Sequence, residues 1–286
     1  MPAATCMRLA LISGLSGSGK SIALHALEDS GFNCIDNLPL ALLAETVRIL
    51  REAGTTQLAL SIDARSGSSL QALPGFLDQL KADGIDLRVM FLEARDHTLV
   101  RRFAETRRRH PLAGGDRTIE ECLREERQLL TPVAEYGHHV DTSELTPIHL
   151  REWIIKLLEL ETDLRTLVFE SFGYKAGVPL DADLVFDARC LPNPFYEPSL
   201  RALTGQDAQV ARFLDGEPRA TALIADIAVF LERWLPEYAR DHRNYFTVAI
   251  GCTGGRHRSV YLAEQLAAKY RPRMNVLVRH RELAHT

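Results

Sequence analysis

The chain has 286 residues, 46% of them hydrophobic and 25% charged, with a formal net charge of −4; this is a soluble globular composition, long enough for two domains, and it excludes a generally basic, nucleic-acid-coating surface. No apolar run is long enough to span a membrane, and the segment Met1 to Thr5 lacks the charged and apolar regions of a secretory signal. Five cysteines (Cys6, Cys34, Cys122, Cys190, Cys252) are widely spaced and odd in number, so they form neither a disulfide framework nor a zinc site, and a reducing cytoplasm is the expected compartment.

Met7 to Ser13 reads as a buried strand, and Ile22 to Glu28 as a helix ending near Gly31. Between them Gly14-Leu15-Ser16-Gly17-Ser18-Gly19-Lys20-Ser21 fits G-x-x-x-x-G-K-[ST] at every position. A phosphate-binding loop turns its backbone N–H groups inward, and glycine permits the positive φ angles this needs. Lys20 places an ammonium on the distal phosphates and the Ser21 hydroxyl ligates Mg²⁺, so these two residues carry any hydrolytic chemistry. A strand, a glycine loop and a helix N-terminus in succession suit an anion.

Strands and helices then alternate. Strands are expected at 32–35, 58–62, 87–92 and 138–140; helices at 40–53, 70–81, 97–109, from the Thr118/Glu121 capping box to about Leu130, and from Pro147 to about Glu161. Such alternation predicts a mainly parallel sheet covered on both faces. Asp36, Asp63 and Glu93 stand at strand C-termini, where ligands collect in open α/β sheets. Asp63 is a candidate Mg²⁺ ligand, Asp36 a candidate substrate-contacting or catalytic carboxylate and Glu93 a third candidate; each also suits a helix N-cap. Arg101, Arg102, Arg107, Arg108 and Arg109 form a basic run, either a solvated face or a lid that brings guanidinium onto polyphosphate. The loop from His110 to Asp116 follows.

A domain boundary is expected at 160–164, giving a nucleotide-binding domain over 1–160 and a second domain over 161–286. The second half opens with a strand at 165–170. Phe169 to Arg189 reads as two strand segments around a Gly/Pro turn, supplying Ser171, Lys175, Asp187 and Arg189 as polar groups. Tyr245 to Ile250 is a strand and Val260 to Tyr270 a helix; between them Cys252, Thr253, Gly254, Gly255, Arg256, His257, Arg258 and Ser259 form a second loop at a helix N-terminus. It satisfies C-x5-R-[ST]. A thiolate at Cys252 suits phosphatase chemistry, with Asp181, Asp183 and Asp187 as unassigned acids, whereas phosphate recognition without chemistry needs only Arg258 and the loop amides. Residues 256–286 hold seven Lys/Arg against Glu264 and Glu282, a local excess of positive charge.

The blocks GLSGSGKS, IDNLP, SIDAR, RRFAETRRRHPL, ESFGYKAGVPLDADLVFDARCLPNP and IGCTGGRHRSVYLAEQLA together resemble the RapZ/YvcJ family of P-loop nucleotide-binding proteins over nearly the whole chain. The resemblance implies ATP at Gly14 to Ser21, GTP at the Asp63-Ala64-Arg65-Ser66 block, and weak ATPase and GTPase activity. It also implies an RNase adapter that binds small RNA, senses a phosphorylated amino sugar through the C-terminal domain and forms a homo-oligomer. Phe195 stands where the enterobacterial branch has histidine, and the tail is less basic than that branch's lysine-rich end. RNA contact is assigned to Lys269, Arg271, Arg273, Arg279 and Arg281. The expected architecture is α/β: an N-terminal P-loop kinase-like parallel-sheet domain and a C-terminal α/β domain with a strand-loop-helix phosphate site. Two enzymatic alternatives stay open: a small-molecule kinase with Asp36 as base, and a cysteine phosphatase at Cys252.

Overall fold

Two parallel sheets, one in each half of the chain, organise the computed structural model, which describes residues 7–114, 117–159, 166–238 and 245–283. Cys6, Gly115, Asp116, the segment 1–5 and the expected boundary at 160–164 lie outside the described residues. The chain separates into two compact units, 1–159 and 160–286.

In the first unit β1 (Arg8–Gly14) leads through the glycine loop into α1 (Lys20–Asp29), followed by β2 (Asn33–Ile35), α2 (Leu43–Glu52), β3 (Gln57–Ser61), α3 (Leu73–Ala82), β4 (Asp86–Glu93), α4 (Asp96–Thr106), α5 (Ile119–Tyr136), β5 (His138–Asp141) and α6 (Pro147–Glu159). The strand order is β2-β3-β1-β4-β5, every pairing parallel. Parallel strands covered on both faces read as continuous apolar runs, and β1 is buried at every residue after Arg8. From β1 the chain crosses to β2 on one side, and from β3 it crosses back to β4 on the other side of β1, so the loop after Gly14 sits at the topological switch point where open sheets bind ligands. Ala23, Leu24, Ala26 and Leu27 bury one face of α1; each leucine contributes about 1.5–3 kcal/mol.

Local departures from the sequence expectations have physical reasons. The helix expected over 97–109 stops at Thr106, because Arg107 turns left-handed at φ 51°. The one expected to end near Leu130 runs on through Pro132 to Tyr136. Residues Ala64–Ala72 form 3-10 turns broken at Gly67, whose φ is 58°.

The second unit contains β6 (Thr166–Gly173), β7 (Leu184–Asp187), α7 (Ala208–Asp215), α8 (Pro218–Tyr238), β8 (Tyr245–Cys252), α9 (Arg258–Tyr270) and β9 (Asn275–His280), in the order β7-β8-β6-β9. The segments β6 and β7 do not form a hairpin: β8 lies between them, parallel to both. The core of this unit includes Phe169, Val248, Ile250, Leu262 and Leu266. Among the described residues no helix is long and apolar enough to cross a membrane.

Candidate functional site: a glycine loop at the sheet switch point

Gly14, Gly17 and Gly19 have φ of 140°, 85° and 106°. The first is enforced by packing, since a Cβ at Gly14 would stand 2.0 Å from the Leu92 carbonyl oxygen of β4. The loop therefore leaves the sheet flush against β4, where the Leu15 N–H donates to that same oxygen at 3.0 Å. Gly19 precedes α1 with no side-chain cap, which leaves first-turn N–H groups to a ligand. Lys20 Nζ donates to the Gly14 carbonyl at 2.6 Å and the Leu15 carbonyl at 3.1 Å. Burial lowers its pKa, against the raising charges of Glu126, Asp63 and Asp36.

Residues remote in sequence hold the loop. Glu126 on α5 is fully buried; it accepts from the Ser16 N–H at 2.9 Å and from the Ser16 hydroxyl at 2.7 Å. His110 Nε2 meets the same carboxylate at 3.1 Å. Burial alone would raise the Glu126 pKa, but the His110 hydrogen bond, the Lys20 charge and the Ser16 donors outweigh it and hold it below the ordinary value. On the other side of the loop, Arg102 donates to the Gly17 carbonyl at 3.0 Å and to the Thr142 carbonyl at 2.6 Å. The Thr142 hydroxyl donates to the Ser18 carbonyl at 2.9 Å. Glu126, His110 and Thr142 escaped the sequence reading. The available signal was Glu126 itself, a carboxylate at apolar-face spacing between Leu123 and Leu130 of α5.

A cavity of about 550 Å³ opens over the loop, and Asp36, Asn37, Asp63, Arg65, Arg102, Arg108 and Arg109 line it together with Ser16 to Ile22. Asp63 caps the turn after β3 by accepting from the Arg65 N–H at 2.9 Å. The Ser61 hydroxyl donates to Asp36 and accepts from the Asn37 N–H at 2.8 Å. Ser16 to Ser21 of the glycine loop and Asp63 and Arg65 of the Asp63-to-Ser66 block thus face one cavity. Glu93 is elsewhere, bonded to His139 at 2.6 Å and paired with Arg127 at 3.4 Å, and does not line the cavity. Arg102 serves as a staple of the loop, while Arg101 pairs with Glu105 on the exposed face of α4 at 3.9 Å.

In the second unit the C-x5-R loop is packed inward. Cys252 is 3% exposed; its Sγ accepts from the Gly255 N–H at 3.2 Å and lies 3.2 Å from the Ser259 hydroxyl. Gly255 has φ 69°, and a Cβ there would meet Glu282 at 2.2 Å. Arg258 is buried and donates to the Leu191 and Arg189 carbonyls at 2.9 and 3.2 Å and to the Thr253 hydroxyl at 3.2 Å. His257 bonds the Leu200 carbonyl at 3.2 Å. Burial lowers its pKa, and the Arg256 and Arg258 charges add to this against that hydrogen bond. The candidate acids are already engaged: Asp181 with Arg279 at 3.2 Å, Asp183 with the Thr247 N–H at 2.8 Å, and Asp187 with Arg189. The Arg189 hydrogen bonds hold the Asp187 carboxyl below the ordinary range, which ill suits a general acid. Ser171 meets His280 Nδ1 at 2.8 Å.

The basic C-terminal residues divide in two. Lys269, Arg271 and Arg273 are exposed, with long pairings to Glu232 or Glu264 of 3.5 to 3.9 Å. Arg279 and Arg281 are 9% and 3% exposed and lie against Glu170 at 3.3 and 4.0 Å. These two, assigned to RNA from the sequence, are withdrawn from solvent by burial against that carboxylate.

Residues 7–162 match the RapZ-like N-terminal domain and residues 165–284 the RapZ C-terminal domain. A nucleotide-binding protein of Thiobacillus denitrificans (strain ATCC 25259 / T1) is 56% identical over 278 residues, covering 97% of this chain and 100% of its own. One from Dechloromonas aromatica (strain RCB) is 54% identical over 281 residues, covering 98% and 100%. Among solved structures, shikimate kinase from Acinetobacter baumannii in complex with shikimate is 20% identical, with a TM-score of 0.37 over 54% of this chain and 93% of its own. With both domain matches spanning nearly its whole length and relatives at 54% and 56% identity, the chain belongs to the RapZ family.

Proposed function

We propose that this chain is a regulatory protein that binds one nucleoside triphosphate, ATP or GTP, in the N-terminal cavity and hydrolyses it slowly. One observation carries this reading: Ser16 to Ser21 of the glycine loop, Asp36, Asp63 and Arg65 line a single cavity of about 550 Å³. The relatives' shared designation as nucleotide-binding proteins agrees with it. The fit to phosphate is supported by Ser18 Oγ, a buried hydroxyl of the loop without a hydrogen-bond partner among the described residues.

In this reading the loop amides and the Lys20 ammonium take the β- and γ-phosphates, and Arg108 and Arg109 approach the distal end. Among the described residues no cluster of three His, Cys, Asp or Glu side chains could hold a metal ion. Mg²⁺ would therefore be held by the nucleotide's own phosphates with the Ser21 hydroxyl and Asp63, neutralising charge on the transferred group. Asp36 is the carboxylate available to orient a water, and its hydrogen bond from Ser61 fixes its direction. The C-terminal unit senses a phosphorylated amino sugar through Thr253 to Ser259. RNA meets Lys269, Arg271 and Arg273, and an RNase is the effector partner. These last roles extend the family resemblance to residues at matching positions.

The test is Lys20→Ala. Removing a charge-assisted contact of about 1.5–3 kcal/mol weakens ATP binding by about ten- to a hundredfold. Ser21→Ala lowers Mg²⁺-dependent hydrolysis and leaves binding in chelator largely intact. If Lys20→Ala binds ATP as the parent does, the loop is not the nucleotide site.

A further inference from the structure

We infer that Glu126 and His110 form a latch that positions the Arg108-Arg109 segment over the glycine loop, so that these arginines reach the distal phosphates of the bound nucleotide. The inference rests on the nucleotide reading above and adds to it residues with no direct contact to ligand.

Three segments converge on the Glu126 carboxylate. One oxygen takes both the Ser16 N–H at 2.9 Å and His110 Nε2 at 3.1 Å; the other takes the Ser16 hydroxyl at 2.7 Å. The Leu112 N–H donates to His110 Nδ1 at 3.1 Å. Nδ1 is therefore the acceptor, and the ring proton resides on Nε2, aimed at Glu126. The His110 ring also stacks at a tilt on Phe103 of α4, with centroids 5.3 Å apart. His110 is thus held from three sides and is 4% exposed.

The segment before it is of opposite character. Arg107 leaves the helix in a left-handed conformation, and Arg107, Arg108 and Arg109 are all exposed. Three exposed arginines are strung between the end of α4 and one buried anchor. Consecutive Cα atoms are about 3.8 Å apart, so fixing His110 confines the Arg109 backbone to one such step and that of Arg108 to two. Arg108, Arg109 and Pro111 line the cavity. The same carboxylate that holds His110 also holds the third residue of the phosphate loop. A buried carboxylate is costly unless fully hydrogen-bonded, and among the described residues the hydrogen bonds of this one go to the loop and to His110. Loop and arginine segment are therefore set by one group.

A merely structural histidine predicts something different, and three variants separate the two. His110→Phe keeps a ring on Phe103 and removes the donor to Glu126. His110→Gln restores an N–H donor. The third is the double replacement Arg108→Ala/Arg109→Ala. The probes are fluorescent ATP and AMP analogues, titrated against the full chain after thermal melts show each variant folded. His110→Phe should weaken ATP about tenfold, as for a lost charge-assisted contact, and barely change AMP. His110→Gln should recover most of the loss. The arginine double variant should match His110→Phe, and adding His110→Phe to it should change little, because the latch acts through the arginines. Equal loss for ATP and AMP, no recovery in His110→Gln, or full additivity overturns the latch.

A nucleotide-free measurement keeps the latch distinguishable from the nucleotide reading. Tryptic cleavage after Arg107 to Arg109 should be faster in His110→Phe than in the parent and in His110→Gln. Equal cleavage rates in all three show that His110 does not restrain the segment. If the parent binds no nucleotide while cleavage follows the predicted order, the nucleotide reading fails and the mechanical restraint stands alone.

Discussion

Gly14→Ala tests the packing that fixes the phosphate loop. The residue has φ 140°, and a Cβ would lie 2.0 Å from the Leu92 carbonyl oxygen and 2.7 Å from the Leu92 nitrogen. Both are strand backbone, so neither can rotate away. The methyl group forces the loop root off β4 and breaks the 3.0 Å hydrogen bond from Leu15 N–H to Leu92. Backbone strain costs about 1–2 kcal/mol, overpacking about 1–3 kcal/mol and the lost hydrogen bond about 0.5–1.5 kcal/mol, together about 3–6 kcal/mol. At about 2–4 °C per kcal/mol for a domain of this size, far-UV circular dichroism should record a fall in Tm of about 6–24 °C. Gly67→Ala is the control: it also has positive φ, 58°, but nothing stands within 4 Å of its Cβ. It should lose only the strain cost, about 2–8 °C. Equal falls in the two variants would refute the argument that contact with β4 shapes the loop.

Burial lowers the Lys20 pKa from its ordinary 10.5. Phosphate binds the ammonium, so ATP affinity should be full below the lowered value and decline as pH rises through it, beginning under 10.5; a fluorescence titration that declines only above the ordinary value contradicts this. Cys252→Ser should keep most of the calorimetric binding of a phosphorylated amino sugar, since Sγ is buried and serves as an acceptor, whereas Arg258→Ala should lose it; a phosphoryl-cysteine adduct would reverse the assignment. Replacing Lys269, Arg271 and Arg273 by alanine should lower the log–log salt slope of single-stranded RNA binding by about 0.7 per contact, and an unaltered slope in filter binding moves the RNA surface elsewhere. Arg279→Ala should instead destabilise the fold by about 3–5 kcal/mol, because it strips a buried cation from Glu170 and Asp181; an unchanged melt contradicts that.

Local chemistry was legible in the sequence and long-range chemistry was not. The loop from Gly14 to Ser21, the strand-end acids Asp36 and Asp63, and the capping box at Thr118 depend on spacings of a few residues, and the structure forms each of them. The parallel sheet followed from strands alternating with helices. The latch at Glu126 spans 110 residues to Ser16, and no short-range pattern encodes such a partner. Only the mismatch of a carboxylate on an apolar helix face marks it. Arg279 and Arg281 looked like surface charge because a count of Lys and Arg ignores burial; the β9 pairing with β6 sets both beside Glu170. The spatial order of β6, β8 and β7 was likewise hidden, because turn residues at Gly177 and Pro179 suit a hairpin as well as a crossover.

Calorimetric titration of Mg²⁺·ATP and Mg²⁺·GTP into the full chain tests the single-cavity account most directly. Ser16 to Ser21 of the glycine loop share one cavity with Asp63 and Arg65, so the account predicts one nucleotide per chain, complete displacement of ATP by GTP, and loss of both with Lys20→Ala. Two independent binding events, or GTP binding that survives Lys20→Ala unchanged, would contradict it.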